Sequence, residues 1–129
     1  MSIGLGYLGT PESRAALGHA VHECALHGSD LVIVSPRAVG ETPEFAADRA
    51  LAEATLRSRT VTIQLVDSEH DLADALIDLS YEAGVELLVM GQRRRSAVGK
   101  LLLGSLTQRV ILEARCPVTA VKPPVEPTG

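Results

Sequence analysis

The amino-acid sequence predicts an α/β fold, an open doubly wound five-stranded parallel sheet with helices on both faces, and three observations carry that expectation. Five short β-rich apolar runs alternate with longer stretches of helical period. Two of those runs, Leu31-Val32-Ile33-Val34 and Leu87-Leu88-Val89-Met90, are continuously apolar, which suits strands covered on both faces. The strand–helix units recur about every 30 residues, a spacing that calls for right-handed crossovers between parallel strands. The 129 residues leave no room for a second ordinary domain.

The first strand is expected over Ile3–Leu8. Its Gly4-Leu5-Gly6-Tyr7-Leu8-Gly9 matches the GxGxxG dinucleotide fingerprint, but that mechanism needs a strand ahead of the first glycine. Only three residues precede Gly4, so the glycines fall inside the strand. Thr10-Pro11-Glu12 then opens a helix with a hydroxyl cap, a proline in the first turn and an early carboxylate. Leu17, Ala20, Val21 and Cys24 form its buried stripe; His19, His22 and Glu23 point away and read as a solvated face rather than a metal site. Gly28 should stop it.

The second strand is Asp30–Ser35, and Thr42-Pro43-Glu44 repeats the same opening logic for the second helix. A third strand, Thr60–Val66, leads to Ser68, which can cap a helix burying Leu72, Ala75, Leu76, Leu79 and Ala83. Asp71, Asp74 and Asp78 lie opposite that stripe and read as solubility charge, since acid–base work by paired carboxylates needs burial. Gly84 should end this helix before the strand Glu86–Met90. Ser105-Leu106-Thr107-Gln108 has capping-box spacing for the fourth helix. Val118–Val121 is the last strand, and its following prolines mark it as an edge. The folded domain should therefore end at residue 122, with 123–129 a flexible tail.

Composition narrows the function. The net charge of −4 and only three aromatic residues, Tyr7, Phe45 and Tyr81, argue against nucleic-acid binding by a basic surface or by base stacking. No apolar run approaches the roughly 18 residues of a membrane span, and no export signal precedes the first strand, so a cytoplasmic address is expected. Cys24 and Cys116 show neither CxxC nor metal spacing and are expected reduced and partly buried. No GxSxG elbow, HExxH or complete Walker A signature is present.

The informative stretch runs from Met90 to Ser105. It leaves the carboxyl end of the fourth strand, where doubly wound sheets bind ligands, and ends at a helix N-terminus. Gly91 permits close backbone approach, and Gly104-Ser105 offers free amides and a hydroxyl to an anion. Arg93, Arg94, Arg95 and Lys100 add positive charge to an acidic chain. On the residues alone, a phosphate site and a solvated basic loop both remain open.

These residues resemble the universal stress protein family. Its hallmark is Gly, two residues, Gly, nine residues, then Gly with Ser or Thr; here it reads Gly91, Arg94 in place of the second glycine, and Gly104-Ser105. Gln108-Arg109-Val110, Ala114-Arg115-Cys116-Pro117-Val118 and the opening from Gly6 to Leu17 extend the similarity over nearly the whole chain. The resemblance implies sheet order 3-2-1-4-5 and a homodimer through Val118–Val121. It also implies an adenine nucleotide, ATP or AMP with or without Mg²⁺, bound as a sensor's ligand with at most slow hydrolysis. By that analogy Met90, Gly91, Gly104, Ser105 and Leu106 surround ribose and phosphates, and Arg93 or Arg94 neutralises charge. Three departures favour the alternative, a nucleotide-free dimerisation module acting through protein partners. Leu8 replaces the family's acidic residue, Pro36 lacks the N–H that can meet adenine, and Arg94 replaces a glycine.

Overall fold

The computed structural model describes residues 1–92 and 104–123. Along the chain run β1 (Ser2–Gly6), α1 (Pro11–His27), β2 (Asp30–Pro36), α2 (Arg37–Gly40) and α3 (Pro43–Thr55). There follow β3 (Val61–Val66), α4 (Glu69–Ser80), β4 (Val85–Gly91), α5 (Ser105–Glu113) and β5 (Val118–Val121). Every strand pairing is parallel and the order is β3-β2-β1-β4-β5, so the winding reverses between β1 and β4.

The local start signals work as the sequence suggests. Thr10, Thr42 and Ser68 each accept a hydrogen bond from the backbone N–H three residues on, at Ser13, Phe45 and Asp71. Each such cap contributes about 1 kcal/mol by satisfying an orphan donor. Gly28 ends α1 at φ 68°, a left-handed conformation natural to glycine.

Four expectations are corrected. The strand expected to reach Leu8 ends at Gly6, although Tyr7 N–H still donates to the Val34 carbonyl. One turn of helix, α2, follows Pro36; four residues are too few for periodicity to reveal. Helix α4 stops at Ser80, so Ala83 lies beyond it and is exposed, while Ala73 and Ser80 join the buried face. Ser80 Oγ donates to the Ile77 carbonyl and accepts from Arg115 N–H, tying the end of α4 to the α5–β5 loop. Finally, Gly104 rather than Ser105 is the N-cap of α5. The first intrahelical bond runs from Gln108 N–H to the Gly104 carbonyl, one residue earlier than the hydroxyl pattern suggests.

The sheet separates two cores. Leu5, Ile33, Leu31 and Val89 face α1 and α3, where Tyr7 meets Phe45 edge-on with ring centroids 5.1 Å apart. Leu88 and Met90 face α4 and α5 through Leu72, Leu76, Leu79 and Val110. The first two glycines of the GxGxxG match serve this packing. A Cβ on Gly4 would stand 2.7 Å from the side chains of Leu79 and Leu88, and one on Gly6 would stand 2.9 Å from Leu76. They lie within β1 and let α4 settle on it.

Polar pairs outside the cores are structural. Tyr7 Oη donates to Asp48, which also pairs with Arg14 at 3.3 Å, joining the β1–α1 loop, α1 and α3. Burial, then the Asp48 contact, pushes the Tyr7 hydroxyl up to about 12. His19 and His27 flank Glu23 at 3.8 and 3.0 Å along the outer face of α1. Asp74 departs from its expected role as surface charge. It is half-buried, bonds the Arg109 guanidinium and lies 3.6 Å from His70, so it ties α4 to α5. Cys24 and Cys116 are both free, and burial pushes the Cys24 thiol up to about 11.

Candidate functional site

Doubly wound sheets open a crevice where the winding reverses, beyond the carboxyl ends of the strands. Here a cleft of about 240 Å³ lies at that point. Gly6, Leu8, Met90 and Gly91 come to it from the ends of β1 and β4. Thr10, Glu12 and Ser13 come from the start of α1, Glu69 from the start of α4, and Gly104 to Thr107 from the start of α5. Three helix N-termini thus face one cavity, each carrying roughly half a positive charge from its aligned peptide dipoles.

The three starts differ in what they already hold. Helix α1 is capped by Thr10 and carries Glu12 in its first turn; α4 is capped by Ser68 and carries Glu69 and Asp71. Helix α5 has no side-chain cap and no acidic residue in its first turn. Its orphan amides are therefore the ones left for an external anion. Gly104 has ordinary extended angles, φ −60° and ψ 151°, so no backbone strain requires a glycine there. Among the described residues, a Cβ on it would meet nothing within 4 Å, and Gly104 itself lines the cleft. Ser105, released from capping, is exposed beside it.

Gly91 has a different role from the one its motif position suggests. A Cβ there would lie 2.5 Å from the carbonyl carbon of Glu12 and 2.8 Å from the Ser13 nitrogen. The close approach it allows is to the first turn of α1. Ser13 secures the same wall: its buried Oγ accepts from Leu8 N–H at 3.0 Å and from the Thr10 hydroxyl at 3.1 Å.

Of the expected site residues, Met90, Gly91, Gly104, Ser105 and Leu106 meet in one cleft. Arg93 and Arg94, like Arg95 and Lys100, lie outside the described residues, as does the tail from 124 onward. The motif reasoning missed Thr10, Glu12, Ser13, Glu69 and Thr107. A signal for them existed, because parallel strands with right-handed crossovers bring helix starts to one end of the sheet. Among the described residues, no three His, Cys, Asp or Glu gather as metal ligands.

A second hollow of about 270 Å³ opens beside the first, sharing Glu69, Ser105 and Leu106 and adding His70, Ala73 and Arg109. Arg109 is oriented there by Asp74 and by Glu113 at 3.1 Å; Asp74 first, then Glu113, holds its guanidinium charged beyond its usual range. On the opposite side, the end of β2 is closed. Leu31 N–H donates toward β3, whereas Asp30 N–H donates toward β1 and Val34 accepts from it. The same alternation aims the Pro36 nitrogen at the β1 side, where it carries no hydrogen. Directly after it, α2 brings Val39 Cγ1 to 3.2 Å from the Cβ position of Gly9. Among the described residues, none from 35 to 42 lines the cleft.

The sequence and the fold can be set beside known proteins. The family model described as the universal stress protein family matches residues 1–122. A universal stress protein of Mycolicibacterium smegmatis is 36% identical over 131 residues, covering 94% of this chain and 97% of that protein. Among solved structures, a universal stress protein in complex with cAMP superposes with a TM-score of 0.71 at 21% identity, covering 96% of this chain and 98% of its own. One from Archaeoglobus fulgidus in complex with dAMP gives 0.60 at 18%, covering 95% and 98%. At such identities the two structures show a common fold. The family match over nearly the full length, joined to the M. smegmatis relative, decides the assignment: the chain belongs to the universal stress protein family.

Proposed function

We propose that the cleft seats the phosphate of an adenine nucleotide, and that the protein is a nucleotide-responsive regulator in stress response rather than an enzyme that turns its ligand over. The observation that carries this reading is the start of α5, which has neither a side-chain cap nor an acid of its own and faces the reversal point of the sheet. Gly104 and Leu106 supply amides to the phosphate, the Ser105 hydroxyl donates to it, and Met90 and Gly91 bound the sugar side. Arg93 or Arg94 neutralises the remaining charge. The cAMP and dAMP complexes of the two structural neighbours support an adenine nucleotide as the ligand class.

The same reading includes a homodimer. Strand β5 pairs with β4 and is half-buried along its whole length, which suits an edge completed by the β5 of a second copy.

Isothermal titration with ATP at millimolar concentration tests the proposal. Heat of binding is expected for the wild type and not for Gly104→Val, whose extended backbone tolerates the branched side chain while its methyl groups enter the cleft. Absence of heat from the wild type would remove the nucleotide. A second reading, a nucleotide-free module acting through protein partners, is favoured by Leu8 and Pro36 on the β1–β2 side of the cleft. Mass spectrometry of ligand released from the purified, denatured protein separates the two.

A further inference from the structure

If the cleft is a phosphate seat, as just proposed, its walls also bear on which part of a nucleotide is read. Among the described residues, the polar side chains on those walls belong to helix starts, with the Thr10 and Ser105 hydroxyls and the Glu12 and Glu69 carboxylates beside the free amides of α5. Amides and hydroxyls at a helix start match phosphate oxygens, and carboxylates accept from sugar hydroxyls. A base edge calls for something else, donors and acceptors fixed in the plane of the ring. The natural source would be backbone at the carboxyl end of β2, the strand next to β1.

That end is withdrawn from the cleft in two ways. The Pro36 nitrogen faces the β1 side without a hydrogen, and the turn of α2 lays Val39 against Gly9 in the β1–α1 loop. The β1 end itself contributes Leu8, which can offer a base apolar surface but no side-chain hydrogen bond.

We propose that the cleft recognises the phosphorylated sugar of a nucleotide and leaves the base unread, so that purine and pyrimidine nucleotides bind alike. A site built to hydrogen-bond a ligand rejects analogues lacking the matching group by large factors, whereas contact with an apolar wall discriminates weakly. Base selectivity should therefore be slight.

The test is a set of titrations on the full-length protein with ATP, GTP, CTP and UTP, followed by displacement of ATP by ribose 5-phosphate and by adenosine. Dissociation constants within about threefold of one another are expected, as for ligands separated only by apolar contact. Ribose 5-phosphate should displace ATP and adenosine should not. ATP binding more than about tenfold tighter than GTP and CTP would show that the base is read and overturn the inference while leaving the nucleotide function intact. Adenosine displacing ATP as well as ribose 5-phosphate does would overturn it equally. Failure of all four nucleotides to bind would take down the nucleotide function itself, and this inference with it.

Discussion

Helices α1 and α5 begin on the same cleft in opposite chemical states. The start of α1 is self-sufficient: Thr10 caps it, Glu12 answers its dipole, and Ser13 bonds back to Leu8 and Thr10. The start of α5 has neither cap nor acid, only Gly104 and a released Ser105. The two glycines at these walls differ in the same sense. Gly91 is required by the fold, because the backbone of α1 occupies the space where its Cβ would stand. Among the described residues nothing requires a glycine at Gly104, because none comes near the place where its Cβ would stand. Finished ends hold a structure together; an unfinished end at a crevice leaves its amides open to an anion.

The largest way to break this comparison is Gly91→Val. It drives a side chain into the α1 backbone and should cost about 1–3 kcal/mol or more in denaturant unfolding, with ligand binding lost as a consequence. Gly104→Val should do the reverse: stability within about 0.5 kcal/mol of wild type, with nucleotide binding lost in titration. Equal destabilisation by the two substitutions would erase the distinction.

Exchanging the chemistry of the two ends sharpens it. Thr10→Ala removes the cap of α1 and should lower stability by about 1 kcal/mol, as read by denaturant unfolding. Ser105→Asp gives α5 the acid it lacks. Complementing the helix dipole should raise stability by about 0.3–1 kcal/mol. The same carboxylate repels a phosphate, so titration should show binding sharply weakened even as thermal unfolding moves upward. A stabilised variant that still binds nucleotide as well as wild type would mean that the anion does not sit at α5.

Much of this molecule was legible in the chain. The hydroxyl–proline openings at Thr10 and Thr42, the Ser68 cap and the Gly28 stop are local signals, and all act where they stand. The apolar runs marked five strands, with ends displaced by up to two residues, as at β1. Less legible were features set by neighbours distant in sequence. Nothing around Gly91 announces that its missing side chain makes room for Glu12 and Ser13. Nothing around Asp74 announces Arg109, which lies on the next helix and converts an apparent surface acid into a clamp. The four residues of α2 carry too little pattern to be read, yet they seat Val39 on the β1–α1 loop.

The amino-acid order alone determined the alternation of strands and helices, the parallel sheet and the motif residues from Met90 to Leu106, because periodicity, capping and turn chemistry act over a few residues. Only the tertiary structure decided that three helix starts share one cleft, that one of them is chemically unfinished, and that the β2 side is shut. Those outcomes depend on which backbone meets which across the crevice, and that is a property of the packed sheet rather than of any single segment.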